Sequence, residues 1–164
     1  MSSLDREARN VQNPAFGATV LAAFLQGHYE ADEMKGGTPL PYLFLVLPMI
    51  FHSEVYRLLS ETRTGLRQFA EKFVSSEFAS TDLLLSLGSS AIRLRRLTAD
   101  SLGIMLLSGL ATLDSQHGRL LPRKVNVFSA RPDIPNEAEQ GRKLGRWFAE
   151  LSPFEIGSIL KVVF

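Results

Sequence analysis

Thr98-Ala99-Asp100-Ser101-Leu102-Gly103-Ile104-Met105-Leu106-Leu107-Ser108-Gly109-Leu110-Ala111-Thr112-Leu113-Asp114-Ser115-Gln116-His117-Gly118-Arg119-Leu120-Leu121-Pro122 is the stretch on which the fold turns. Thr98 followed by Asp100 predicts a helix start, the apolar residues Leu102 and Ile104 to Leu107 carry the helix, and Gly109 stops it. Leu110 to Leu113 and Arg119 to Leu121 are strand-like runs around the turn Asp114 to Gly118, which predicts a β-hairpin. Just upstream, Ser80 or Thr81 predicts the cap of a helix through about Leu97, with Leu84, Leu87, Ala91 and Leu94 at helical spacing. Helix, short turn, helix, hairpin is the order of a winged helix-turn-helix.

Toward the N-terminus the chain reads as helices joined by short connections. Asn13-Pro14 is a strong helix start, because Asn caps free amides and proline at the first helical position has no amide to lose. Phe16, Val20, Ala23 and Phe24 follow helical spacing toward Tyr29, and Gly36-Gly37 ends the element. Pro39-Leu40-Pro41 is a stiff connector into a short apolar helix interrupted by Pro48. Ser53 predicts the cap of the next helix, with Val55, Leu58 and Leu59 on one side. Thr64-Gly65 breaks the chain before an amphipathic helix with Leu66, Phe69, Ala70 and Phe73 facing in.

Toward the C-terminus, Val125 to Pro135 is a polar, proline-marked loop, and Asn136 to Leu151 a long helix anchored by Leu144, Trp147 and Phe148. Ser152-Pro153 launches a short helix, Phe154 to about Ser158, and Ile159 to Phe164 is a strand-like apolar run. The fold class is therefore mainly α with a small β-hairpin. A helical region over 1–78 and a winged-helix-like region over 79–164, with its C-terminal helix and apolar tail, are expected to form one compact unit.

Composition bounds the function. With 164 residues, 45 % of them hydrophobic, the chain can bury a core as one domain, or two small ones sharing it. A net charge of +1 makes no overall electrostatic bid for nucleic acid. The absence of cysteine excludes disulfides, thiolate metal sites and a cysteine nucleophile, and fits a cytoplasmic location. Met1 to Gln12 lacks the apolar core of a signal peptide, and the longest apolar run, Tyr42 to Phe51, is broken by Pro48. A membrane span needs about 20 apolar residues, so no membrane partner is expected.

Catalytic patterns are missing. His28, His52 and His117 are far apart and each lacks a partner at metal-ligand spacing, so no metal site is expected. Ser86-Leu87-Gly88-Ser89-Ser90 is the nearest glycine–serine cluster, but it lies in a helical pattern and lacks the spacing of a nucleophile elbow. Gly141 and Gly145 sit four apart on a helix with no lysine–serine pair after them, so no phosphate loop and no cofactor are expected. Carboxylate pairs such as Glu30 with Asp32, or Glu137 with Glu139, lie in polar helix ends. The chain is expected not to be an enzyme.

Basic residues offer an alternative. Arg93, Arg95 and Arg96 cluster at the end of one expected helix, Arg119, Arg123 and Lys124 decorate the hairpin and its exit, and Arg142, Lys143 and Arg146 line the last long helix. On one face they would make a phosphate-binding strip. The helix expected in the major groove, Ala99 to Gly109, holds no Lys, Arg, Asn or Gln, so base reading is not expected and backbone contact stays open. That apolar helix and the apolar run Leu160, Val162, Val163, Phe164, together with Trp147 and Phe154, suit a protein-binding surface. The competing reading is that both fill the domain's own core.

Three stretches carry a family resemblance: Asn13-Pro14-Ala15-Phe16-Gly17, then Gly37-Thr38-Pro39-Leu40-Pro41-Tyr42-Leu43-Phe44-Leu45-Val46-Leu47-Pro48, and the run from Leu144 through Trp147-Phe148 and Ser152-Pro153-Phe154 to Phe164. Together they resemble the middle component of bacterial three-component ABC-ATPase systems, the group that includes Lamassu-type anti-phage defence. The resemblance implies a non-catalytic accessory subunit, an adaptor between an SMC-like ABC ATPase and an effector, often a nuclease. DNA would then be met indirectly, through the complex. It supplies no catalytic residues.

Overall fold

Asn13 opens the described fold by accepting hydrogen bonds on its side chain from the Ala15 and Phe16 amides, at 3.0 and 3.2 Å. The computed structural model describes residues 13–75, 81–123 and 135–164. Lys124, Ser80 and all but the last residue of the expected loop Val125 to Pro135 lie outside the described residues. The order is α1 (Pro14–Ala31), β1 (Thr38–Pro39), α2 (Leu40–Phe51), α3 (Ser53–Glu61), α4 (Leu66–Ser75), α5 (Thr81–Leu107), β2 (Ala111–Asp114), β3 (Arg119–Pro122), α6 (Asn136–Ala149) and α7 (Pro153–Leu160). The protein is mainly helical with one small antiparallel sheet.

Helix α1 is the hub. It is buried from Gly17 to His28 with only Thr19 half-exposed, the pattern of a helix covered on every side. Its most intimate neighbour is α6. A Cβ on Gly145 would lie 2.1 Å from the Phe24 carbonyl oxygen, one on Gly27 1.9 Å from that of Arg142, and one on Gly141 2.9 Å from that of Val20. The glycines read above as a failed phosphate loop instead let two helix backbones touch.

Helix α5 corrects the expected winged helix-turn-helix. No turn forms at Thr98: the chain runs from Thr81 to Leu107 as one helix, about 40 Å long at 1.5 Å per residue. Thr98 and Ser101, polar residues suited to a cap, are fully buried, and Ser101 packs opposite Gly17 of α1. A cap acts only where the helix must start. Here the residues on both sides are good helix formers, so the backbone bonds continue even though the two hydroxyls are buried with no hydrogen-bond partner among the described residues. Consequently Arg93, Arg95 and Arg96 sit in mid-helix, away from the dipole's C-terminal end.

The hairpin β2–β3 forms as expected, and Asp114 accepts the Gln116 and His117 amides in its turn. A third strand joins it. Thr38 pairs with Leu120 and Pro39 with Arg119, giving the order β1-β3-β2, so the segment read as a plain connector is an edge strand. Proline suits that edge because its missing amide faces no neighbour. Helix α2 keeps Pro48 inside it without ending, and α3 is preceded by His52 with no side-chain cap, not by a capping Ser53.

The last helix is longer than expected and the run after it is no strand. Ser152 and Glu155 form a capping box, α7 continues to Leu160, and Lys161 adopts the left-handed conformation (φ 57°) that closes it. The Val162 amide donates to the Gly157 carbonyl at 3.0 Å, satisfying an end of the helix that a strand would have left open.

His28 sits in this core, 5 % exposed, with its ring between Phe24 and Tyr42. Burial lowers its pKa to about 4, with Asp32 opposing the shift and Arg119 adding to it. The unfolded chain, with an ordinary histidine near 6.5, therefore binds the proton first. Stability is full above pH 6.5 and falls as pH drops toward 4, by at most about 1.4 kcal/mol per pH unit. Urea unfolding between pH 7 and 4.5 is expected to show this slope, and His28→Leu is expected to flatten it.

Candidate interaction surface

The apolar residues expected to bind a partner divide between core and surface. Leu160 is fully buried and Trp147 is 6 % exposed, with the Lys143 ammonium 5.2 Å from its ring centroid. Val162 is half-buried, whereas Phe154 is 85 % and Val163 100 % exposed. Phe164 is exposed over 46 % of its surface, while its ring packs 5.3 Å from that of Tyr42. Leu160 and Trp147 therefore belong to the core, whereas Phe154, Val163 and nearly half of Phe164 lie at the surface.

Residues 161–164 form one wall of an open crevice of about 500 Å³. Leu40, Pro41, Phe44 and Leu45 of α2 form a second wall, and Gly88, Ala91 and Ile92 of α5 the third. Leu85, one turn before Gly88, is 56 % exposed, and Ile92 is 68 % exposed. They are one heptad apart, so they share the outer face of α5. A Cβ on Gly88 would meet nothing within 4 Å, so the helix surface dips between them.

Arg95 and Arg96 follow Ile92 by three and four residues and are exposed. No ion pair among the described residues involves Arg93, Arg95, Arg96 or Lys161. Arg93 donates to the Ser90 hydroxyl at 3.0 Å and lines a separate crevice of about 470 Å³ with Pro48, Phe51, His52 and Leu94.

Four other cations of the expected phosphate strip, Arg142, Arg146, Lys143 and Arg119, are committed elsewhere. Arg142 and Arg146 both clamp the Glu30 carboxylate, at 2.5 and 2.8 Å. Partial burial pushes that carboxyl up, but the hydrogen bonds of the two guanidiniums outweigh it and hold its pKa below the usual range. Lys143 donates to the Leu59 and Thr62 carbonyls at 2.6 and 3.0 Å, and burial, then repulsion from Lys72, lowers its pKa. Arg119 donates to the Gly37 carbonyl at 2.9 Å across the sheet edge. Arg123 is exposed beyond β3, and Lys124 lies outside the described residues. These bonds span over 80 residues of sequence, which no local pattern announces.

No three His, Asp or Glu side chains converge as a metal site among the described residues. His117 pairs with Asp114 of its own turn, at 2.7 Å. Among the same residues no single helix is long and apolar enough to cross a membrane; α2 and α3 reach that length and composition only together, bent by 96°, and α2 is mostly core.

No curated protein and no solved structure matches the chain. One family does, over residues 1–164: the family described as ABC-three component (ABC-3C) system Middle Component 3. The match takes in the hub helix, the sheet and the crevice alike, and on that extent the chain belongs to the Middle Component 3 family of ABC-three component systems.

Proposed function

We propose that this protein is a non-enzymatic adaptor of its ABC-3C system. It joins an SMC-like ABC ATPase to an effector, nuclease-like subunit in a cytoplasmic anti-phage complex of the Lamassu type. Family membership supports a role among partner components. The observation that carries the adaptor reading is the crevice, where Val163, Phe164 and Ile92 present apolar surface, with Leu85 exposed one turn before Gly88 and with Arg95, Arg96 and Lys161 in no ion pair among the described residues. Exposed apolar residues that cluster across α5 and the segment after α7 mark an interaction site better than any one of them would.

The test is co-expression with the two co-encoded components and affinity purification through either one. Val163→Asp with Phe164→Ser is expected to leave the melting temperature within a few degrees and to cut recovery of this chain at least tenfold. Unchanged recovery with an intact fold sinks the use of this segment, and a wild-type chain that joins neither component sinks the adaptor reading. A second reading, contact with the DNA backbone, draws on the exposed Arg93, Arg95 and Arg96. Titration of the wild-type chain with duplex DNA at two salt concentrations tests it directly.

A further inference from the structure

We infer that the crevice between α2, α5 and residues 161–164 receives an acidic amphipathic helix of a partner component, a step that rests on the adaptor reading. Two of its walls are helices, whose backbone groups are already bonded internally, so they offer no edge for a strand. What they offer is side chains at helical spacing. Leu85 and Ile92 stand about 10 Å apart along α5, two helical turns, with the dip at Gly88 between them. A helix laid there sets one large apolar side chain into the dip and a second, a turn away, against Ile92. Pro41 and Phe44 bound it on one side, and Val163 and Phe164 on the other.

Charge fixes the partner's sign. Arg95 and Arg96 on the Ile92 face of α5 and Lys161 beside the crevice carry three positive charges without an ion pair among the described residues, whereas Arg93 lines the other crevice. The carboxylates of α5, Asp82 and Asp100, are exposed and offset only two of them. Carboxylates on the flank of the incoming helix pair with Arg95 and Arg96 a turn beyond Ile92, steer its approach and set its direction. A second copy of this chain would bring two faces of the same net sign together, which disfavours self-association there.

The experiment uses the complex with the co-encoded components. Gly88→Glu fills the dip and repels an acidic helix, yet its Cβ meets no neighbour, so the fold is expected to be at least as stable as before. Ile92→Ser removes the apolar anchor without changing charge. Each is expected to weaken the complex at least tenfold, and raising salt from 0.05 to 0.5 M is expected to weaken the wild type. Benzoylphenylalanine in place of Leu85 is expected to crosslink to a partner helix carrying Asp or Glu beside an apolar i, i+4 pair. Wild-type binding with both variants unimpaired overturns this inference and leaves the adaptor reading standing. A crosslink to a second copy, to a basic or non-helical segment, or to DNA also overturns it. A wild-type chain that binds neither component overturns both.

Discussion

Gly145→Ala is expected to unfold the chain or to lower its stability by about 3 kcal/mol or more, beyond the usual cost of overpacking. The added methyl would sit 2.1 Å from the Phe24 carbonyl oxygen and 2.8 Å from the His28 amide nitrogen, and both obstacles are backbone. A rotamer change cannot relieve such a clash, so α1 and α6 must separate, taking the Glu30 clamp with them. Gly27→Ala meets the Arg142 backbone and is expected to behave alike. Gly17→Ala meets chiefly the Ser101 side chain, which can turn aside, and should cost less. Gly103→Ala meets nothing and is expected to raise stability by about 0.5–1 kcal/mol, the helix-propensity gain of alanine over glycine. Thermal and urea unfolding of the four variants read this order directly. A Gly145→Ala chain as stable as Gly103→Ala would mean that the two helices do not touch as described.

The same glycines show where sequence reading stops. Gly27, Gly141 and Gly145 each cost helix propensity, which signals a packing reason, but nothing local says which helix is the neighbour. Signals carried within a few residues were legible: Asn13-Pro14 and Ser152-Pro153 start helices because cap and proline act on adjacent amides. The hairpin was legible because its turn is local. The third strand was not, since Thr38 finds Leu120 across 82 residues. Thr98 misled because a hydroxyl that can cap can also lie buried inside a helix.

The surface followed the same rule. Leu84 and Leu87 are buried on the inner side of α5 and the helical spacing continues through Ala91 and Leu94, so Leu85 and Ile92 are large apolar residues off that stripe, a signal carried by the sequence itself. Phe154 and Val163 are exposed, but Trp147 and Leu160, equally apolar in sequence, are core. Apolarity alone does not separate the two fates, because the separation depends on which elements come to cover each residue.

Phe148→Ala is expected to cost about 3–5 kcal/mol, a large share of the stability of a domain this size. Phe148 is fully buried and makes edge-on contacts with Phe24 and Tyr42, each with ring centroids 5.4 Å apart. The cavity left by the ring is flanked by helices held at backbone contact elsewhere, so it cannot close by a small shift. Phe164→Ala, with nearly half its surface already in water, is expected to cost about 1 kcal/mol or less, since little transfer energy is lost and no cavity forms. Urea midpoints give the ratio between the two. Tyr42 joins these residues: it rests on Phe148 on one side and carries the Phe164 ring on the other. Loosening the core with the milder Phe148→Leu should therefore free Phe164 as well. Partner binding should then fall by more than the lost stability of a still-folded chain explains, whereas a core variant of equal cost remote from Tyr42, such as Phe73→Leu in α4, should leave binding intact.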